Sequence, residues 1–173
     1  NLPTVLFTDA SSLFGLGAAL FQENKDGRRF LIECYSRSLN PAESRYSTIE
    51  LEFLALTWAI EKGKYFLLGR NFSCVTDHKP ICGLVTKPLS AIQNNRLRRL
   101  REKTLDFTFT VKYEAGKFNQ IADALSRFPA FPAKSDVSDL CGSTHTEILA
   151  ARDDPHLVKL ATFGNGDAEY NIL

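Results

Sequence analysis

Short apolar runs predict three strands in the first part of the chain. Residues 5–7 have the β-branched and aromatic character of a buried strand, and this run ends at Asp9. Residues 14–22 predict a second strand, whose glycines and alanines would allow another segment to approach closely. A Lys-Asp-Gly turn signal at 25–27 separates it from a third strand over residues 30–36. The pattern therefore predicts an antiparallel meander.

The longest helix is predicted over residues 48–67, where apolar residues recur at helical spacing after a Ser47 or Thr48 cap. On a helical wheel Glu52 lies near the edge of the apolar face, whereas Glu50 lies on the opposite side. A water-facing glutamate is common in the first turn, where the helix dipole favours it. We therefore expect Glu50 to be solvated and Glu52 to face the edge of the core.

The rest of the pattern alternates strands with helices. A strand over residues 72–76 ends at Asp77, and Pro80 then suits the first turn of a short helix. A helix over residues 94–105, a strand over residues 107–113 and a short helix over residues 121–127 follow. This order predicts an α/β fold with a five-stranded mixed sheet and flanking helices.

The composition is that of a globular domain with an appendage. Of 173 residues, 44% are hydrophobic and 24% are charged. Because no apolar run approaches the roughly 20 residues that cross a bilayer, no membrane partner is expected. The cysteines are scattered without metal-binding spacing, which indicates reduced thiols. The chain contains no methionine, so we expect it to be part of a longer polyprotein.

A proline-containing break at residues 128–132 divides the chain. We expect a compact domain over residues 1–127 and a partly ordered connector over residues 128–173. Within the connector, Asp154 and Pro155 suit the start of a short helix that ends before Gly164. Residues 134–173 carry three basic and seven acidic residues, which leaves the preceding part mildly basic.

Basic residues are concentrated on the predicted helix 94–105, which could track a phosphate backbone. They are Arg96, Arg98, Arg99, Arg101 and Lys103. The alternative is an ordinary solvated helix face, and the pattern alone does not decide between the two.

Acidic residues occupy parallel places in the predicted elements. Asp9 and Asp77 each follow a strand, Glu52 faces the core edge from a helix, and Asp123 lies in the last short helix. Taken alone, Asp9 is typical of a turn former and His78 of a polar loop residue. Carboxylates that converge repel one another unless divalent cations neutralise them, and such hard oxygen ligands suit magnesium or manganese.

Six motifs stand in order over residues 5–127: Phe7-Thr8-Asp9-Ala10-Ser11, Gly15-Leu16-Gly17-Ala18-Ala19-Leu20, Tyr35-Ser36-Arg37-Ser38-Leu39, Tyr46-Ser47-Thr48-Ile49-Glu50-Leu51-Glu52, Thr76-Asp77-His78-Lys79-Pro80 and Ala122-Asp123-Ala124-Leu125-Ser126-Arg127. Together they resemble the ribonuclease H domain of reverse transcriptases from Gypsy-type (Metaviridae) long-terminal-repeat retrotransposons. Residues 150–155 resemble the connector that precedes integrase in such polyproteins, which would place the chain within a Pol polyprotein.

The resemblance implies the ribonuclease H-like fold and hydrolysis of the RNA strand of RNA:DNA hybrids during reverse transcription, with two Mg²⁺ ions as cofactors and Mn²⁺ able to substitute. The implied catalytic and metal-binding residues are Asp9, Glu52, Asp77 and Asp123. In this family the counterpart of Asp9 bridges both ions, and Asp123 would help to hold the ion that activates the attacking water. His78, beside Asp77, would then orient a metal ligand.

Further expectations concern partners. Ser11 and the five basic residues of the helix are expected to contact nucleic acid. The polymerase and connection domains of the same polyprotein are expected partners, and a homodimer of the full enzyme is left open. The expected location is the cytoplasm, in virus-like particles. Two departures from relatives are the absence of histidine from residues 113–119 and an acid at Glu114.

Two other functions remain as alternatives. The first is a catalytically silent module of the same fold that positions nucleic acid or a partner subunit. The second is an integrase-type strand transferase, which the spacing of the acids and the Asp77-His78-Lys79-Pro80 motif disfavour.

Overall fold

The computed structural model describes residues 2–116 and 119–129. The strands are β1 Thr4–Ala10, β2 Gly15–Glu23, β3 Arg29–Ser38, β4 Asn71–Thr76 and β5 Thr108–Tyr113. The helices are α1 Thr48–Lys62, α2 Lys64–Leu67, α3 Pro80–Thr86, α4 Asn95–Glu102 and α5 Gln120–Arg127. The helix predicted to start at Asp154 lies outside the described residues, as does most of the predicted connector.

The strands form one mixed sheet in the order β3-β2-β1-β4-β5. The pairs β1–β2 and β2–β3 are antiparallel, whereas β1–β4 and β4–β5 are parallel. Because β1 and β4 run in the same direction, their carboxyl ends reach the same edge of the sheet. The predicted five-stranded mixed sheet with flanking helices is confirmed.

One face of the sheet packs against α1, and residues of α3 and α4 join the same apolar cluster. The helix α1 contributes the fully buried Phe53, Leu56 and Ile60, which join Leu6 and Leu20 of the sheet in one apolar cluster. Truncating one of these side chains to alanine typically costs about 2–5 kcal/mol, because the transfer energy is lost and a cavity remains. This cluster fixes α1 across the strands and therefore fixes the position of its first turns.

The other face of the sheet is covered by α5. A smaller apolar cluster joins Val5, Phe7 and Val75 of the sheet to Ala122 of this helix. The approach is very close at Gly17 of β2, where a Cβ atom would lie 2.3 Å from the Ala122 carbonyl oxygen. Only glycine leaves room for the helix backbone at that point.

Two helices end earlier than predicted. The prediction of one helix over residues 48–67 is wrong, because Gly63 leaves the helical conformation at ψ 6° and separates α1 from α2. Glycine has the backbone freedom to adopt such a break. The helix α4 ends at Glu102 rather than at residue 105. Within the described residues, no helix combines the length and apolar character needed to cross a membrane.

Candidate active site

Three carboxylates meet at the edge of the sheet where β1 and β4 end. Asp9, Glu52 and Asp77 each present an oxygen atom, and these atoms lie within 4.8 Å of one another. The parallel pairing of β1 with β4 brings the two aspartates to this edge, and the first turns of α1 bring the glutamate. The structure therefore gathers three of the four acids that the sequence indicated.

Two of these carboxylates are largely withdrawn from water. Asp9 is 6% exposed and Glu52 is 5% exposed, whereas Asp77 is more accessible. The backbone of Ala10 lies beside the Glu52 carboxylate and favours its charged form. Its Oε2 atom is buried and has no hydrogen-bond partner among the described residues. A buried polar atom without a partner is costly, and in an acidic cluster a cation can satisfy it.

The pKa values of two of these carboxyl groups, Glu52 and Asp9, are raised above their usual values. Burial raises the pKa of Glu52 to about 9, and the neighbouring charges of Asp9 and Asp77 contribute to this rise. Burial also raises the pKa of Asp9, with the charges of Asp77 and Asp123 acting in the same direction against a lowering hydrogen bond from Ser126. Like charges at this separation disfavour simultaneous ionisation.

These observations fit a divalent cation at the site. The donors are hard carboxylate oxygens, which suit Mg²⁺ and Mn²⁺. The orphaned Oε2 atom of Glu52 provides an unused ligand atom inside the cluster. Asp9, Glu52 and Asp77 can therefore hold a metal ion.

Asp123 lies beside this cluster but is not one of the three mutually close acids. Its Oδ1 atom accepts a hydrogen bond from Nε of Arg127 at 2.8 Å, one helical turn away on α5. Its charge still contributes to the raised pKa of Asp9. The role of Asp123 as a fourth metal ligand stays a prediction.

Two residues that sequence reasoning missed attach α5 to β1. The Ser126 hydroxyl donates to Oδ2 of Asp9 at 2.5 Å, and Asn119 donates from Nδ2 to the Thr8 carbonyl oxygen at 2.9 Å. Both side chains are buried. The helical spacing that places Ser126 one turn after the buried Ala122 was the available signal for an inward-facing hydroxyl.

His78 follows Asp77 in the turn between β4 and α3. Its backbone N–H donates to the Thr76 hydroxyl at 3.1 Å. In the described part of the chain its imidazole has no hydrogen-bond partner. A role for His78 in orienting a metal ligand therefore stays a prediction.

Glu50 does not face water, so that prediction is wrong. It is 7% exposed and accepts hydrogen bonds from the Ser47 backbone, from Asn94 and from Arg96, at 2.9, 3.0 and 2.7 Å. Burial alone would raise its pKa, but the hydrogen bonds from Asn94, Ser47 and Arg96 outweigh burial and lower the pKa to about 2. The Arg96 guanidinium also covers the Tyr46 ring, 3.8 Å from its centroid. Glu50 thus joins α1 to the start of α4.

The other basic residues of the predicted nucleic-acid surface differ in the contacts that their side chains make within the fold. Arg101 donates to a backbone carbonyl of α3 at 3.3 Å, and Lys103 forms an ion pair with Glu61 at 3.1 Å. Arg98 and Arg99 are exposed. Nucleic-acid contact by these residues stays a prediction, and the two exposed arginines are the ones most available for it.

Ser11 lies in the hairpin between β1 and β2, two positions beyond Asp9. Its backbone N–H donates to the Gly15 carbonyl oxygen at 2.8 Å, which closes the hairpin. The residue therefore sits at the same edge of the sheet as the acidic cluster, and its contact with nucleic acid stays a prediction.

Comparison with known proteins places the chain in a family. The profile described as "RNase H-like domain found in reverse transcriptase" matches residues 1–128. The chain belongs to this family of ribonuclease H-like domains. The Pol polyprotein of transposon 297 from Drosophila melanogaster is 36% identical over 90% of the chain, and that of transposon 412 from the same species is 38% identical over 69%. These relatives are Gypsy-type retrotransposon polyproteins.

The solved structures confirm the fold of this ribonuclease H-like domain. LC11-RNase H1 in complex with RNA/DNA hybrid superimposes with a TM-score of 0.51 at 13% identity, over 70% of this chain and 92% of that one. At this identity the likeness concerns the fold alone. The chain spans 13% of the length of the transposon 297 polyprotein and 9% of that of transposon 412.

Proposed function

We propose that this ribonuclease H-like domain hydrolyses the RNA strand of RNA:DNA hybrids during reverse transcription, in a reaction that requires divalent cations. The observation that carries the proposal is the meeting of Asp9, Glu52 and Asp77 within 4.8 Å at one edge of the sheet. The family of the chain and its Gypsy-type relatives support it. The complex of LC11-RNase H1 with an RNA/DNA hybrid is consistent with the same substrate class.

Asp9, Glu52, Asp77 and Asp123 would hold the cations in this proposal. Asp9 would be the ligand shared by both ions, Asp123 would help to hold the ion that activates the attacking water, and Glu52 and Asp77 would hold the other. The chemistry that two Mg²⁺ or Mn²⁺ ions supply when bound is activation of a water and stabilisation of the leaving oxygen of a phosphodiester. The protein's part is to hold these carboxylates in place on rigid elements.

Recognition of the hybrid would combine two features. RNA is distinguished from DNA by its 2′-hydroxyl groups. The exposed Arg98 and Arg99 of α4 supply positive charge for the phosphate backbone, which attracts cations without regard to sequence. Arg96 and Lys103 also contribute positive charge, and each forms an ion pair with a glutamate of α1.

In the whole polyprotein, we propose that this domain occupies residues 1–127 and works beside the polymerase and connection domains, in virus-like particles. Residues 128–173 would then form the connector toward integrase. The relatives are polyproteins many times longer than this chain, which supports a setting of this kind.

A second candidate function is a catalytically silent module that positions nucleic acid or a partner subunit. The pairing of Asp123 with Arg127 favours it, because a carboxylate engaged by an arginine is less available to a cation. Activity therefore requires this exposed ion pair to open. Exposed ion pairs of this type are weak, so opening this one costs little free energy.

The test is incubation of the 173-residue chain with end-labelled RNA:DNA hybrid, duplex DNA and single-stranded RNA of one sequence, at low salt. With Mg²⁺ or Mn²⁺, we expect cuts in the RNA of the hybrid that leave 3′-hydroxyl and 5′-phosphate ends, and no cuts with chelator. Binding of the hybrid without cleavage at high protein concentration would support the silent module instead.

A further inference from the structure

We propose that Ser126 is a positioning residue that fixes the orientation of the Asp9 carboxylate for cation binding. The inference rests on the metal site of the proposed function and adds a residue outside its set of acids. It is drawn from the contacts between α5 and the sheet.

The contact between the two side chains is short and sheltered. The Ser126 hydroxyl lies 2.5 Å from Oδ2 of Asp9, within the range for hydroxyl donors to carboxylates. The same hydroxyl lies 2.9 Å from the Asp123 carbonyl oxygen. It has one proton, which the shorter distance and the negative charge direct to Asp9. Ser126 is fully buried, so water does not compete for this bond.

The hydroxyl is held in place by the way α5 meets the sheet. At Gly17 a Cβ atom would lie 2.4 Å from the Ser126 backbone nitrogen, so strand and helix backbones are in direct contact. The Ser36 hydroxyl of β3 donates to the Leu125 carbonyl oxygen at 2.6 Å. Asn119 fastens the start of the helix to Thr8. The helix therefore has little freedom to move Ser126 away from Asp9.

A fixed donor on one oxygen restricts rotation of the carboxylate about its Cβ–Cγ bond. Among the described residues Ser126 is the one side chain that donates a hydrogen bond to Asp9, and the neighbouring acids Asp77 and Asp123 repel its charge. A ligand that is already oriented loses less freedom when a cation binds. Groups that orient metal ligands through a hydrogen bond typically contribute about 10-fold to 100-fold in metal affinity. We expect Ser126 to act in this range.

The experiment measures Mn²⁺ binding to the full chain by calorimetry, without nucleic acid. The variant is Ser126→Ala, and the matched control is Ser36→Ala, which also removes a hydroxyl that holds α5 but does not touch Asp9. We expect Ser126→Ala to weaken Mn²⁺ binding by about 10-fold or more and Ser36→Ala to leave the affinity within about twofold of wild type. Ser126→Cys, which fills the site with a weak donor, should show the same loss and serves where the alanine variant does not fold.

The outcomes separate the two hypotheses. Equal Mn²⁺ affinities of wild type and the Ser126 variants would overturn the positioning role and leave the metal site intact. Equal losses in the Ser126 and Ser36 variants would also overturn it, because attachment of the helix would then explain both. Failure of the wild-type chain to bind Mn²⁺ would overturn the metal site of the proposed function, and the positioning role with it.

Discussion

Asp9 and Asp77 stand at matching positions on parallel strands, each two residues beyond the register pair of Phe7 and Val75. Because β1 and β4 run in the same direction, this register alone brings two carboxylates to one edge of the sheet. Glu52 then enters from α1, where the charges of Asp9 and Asp77 raise the energy of its own charged form. The arrangement is costly without a cation, and this cost leads to the first prediction.

Asp77→Asn is expected to stabilise the domain when chelator is present at pH 8, because it removes a negative charge that lies close to the carboxyl groups of Asp9 and Glu52. A gain of about 1 kcal/mol would raise the melting temperature by roughly 2–4 °C. The measurement is thermal unfolding of wild type and variant with chelator and with Mg²⁺. We expect Mg²⁺ to stabilise the wild type more than the variant. A less stable variant in chelator would contradict the repulsion.

Glu50→Gln is expected to lower the free energy of unfolding at pH 7 by about 2 kcal/mol, because glutamine lacks the negative charge that strengthens the buried hydrogen bonds of Glu50. The pKa of Glu50 in the fold, about 2, lies below its usual value of 4.5. Its stabilising contribution is therefore present above pH 4.5 and is lost as the pH falls toward 2. The variant should show a flatter decline of stability in this window.

The measurement is denaturant unfolding of wild type and Glu50→Gln at several pH values between 2 and 7. Glu61→Gln, on the same helix, is the control. The ion pair of Glu61 with Lys103 is exposed, so its removal should change stability by less than about 1 kcal/mol. Equal effects of the two substitutions would show that burial under α4 does not strengthen the hydrogen bonds of Glu50.

Gly17→Ala is expected to destabilise the fold by about 1–3 kcal/mol or more, because the new methyl group would meet the backbone of α5 at 2.3 Å. Gly83→Ala on α3 is the control, since a methyl group there meets nothing within 4 Å. Alanine should stabilise that helix by up to about 1 kcal/mol. Denaturant unfolding measures both. A neutral Gly17→Ala would mean that α5 can withdraw from the sheet at little cost.

Reversing the charges of Arg98 and Arg99 to glutamate is expected to weaken binding of RNA:DNA hybrid, because both side chains are exposed on α4. The slope of log affinity against log salt should decrease by about 1 for each phosphate that the protein no longer neutralises. Filter binding or fluorescence anisotropy over a range of salt measures this. The control reverses Lys25 and Arg28, two exposed cations in the β2–β3 turn, away from the acidic edge. An equal effect of the two pairs would indicate general charge attraction rather than a surface on α4.

The acidic cluster is visible in the sequence because two strands end on aspartate and a helical wheel places Glu52 near the core. Both signals are local, because the end of a strand and the face of a helix are set by short stretches of sequence and are kept in the folded protein. The wheel is wrong for Glu50 because it describes an isolated helix, whereas Asn94 and Arg96 come from α4 to cover this side. The burial of Glu50 therefore depends on tertiary packing, which a local sequence pattern does not predict.

The role of the Ser126 hydroxyl is hidden in the sequence for a similar reason. A serine in a short helix has many local uses, and its contact with Asp9 depends on how closely α5 approaches Gly17. The motif around Asp123 predicts a place in the cluster, but it does not reveal the competing pair with Arg127 one turn later. Likewise, the break at Gly63 does not interrupt the helical spacing of the apolar residues, so the pattern predicts α1 and α2 as one helix.

The central claim is that the clustered acids perform hydrolysis, and a comparison of two glutamates on one helix tests it most directly. The rate of RNA cleavage in a hybrid should fall by more than about 100-fold in Glu52→Gln, since removal of a ligand should exceed the removal of a group that only orients one. Asp9→Asn and Asp77→Asn should behave alike.

Glu61→Gln, near the end of α1 and outside the cluster, should cleave at close to the wild-type rate. Asp123→Asn measures the contribution of the fourth acid in the same assay. Loss of cleavage in the three cluster variants with retention in Glu61→Gln is the predicted result. Cleavage by Glu52→Gln at the wild-type rate would contradict the account.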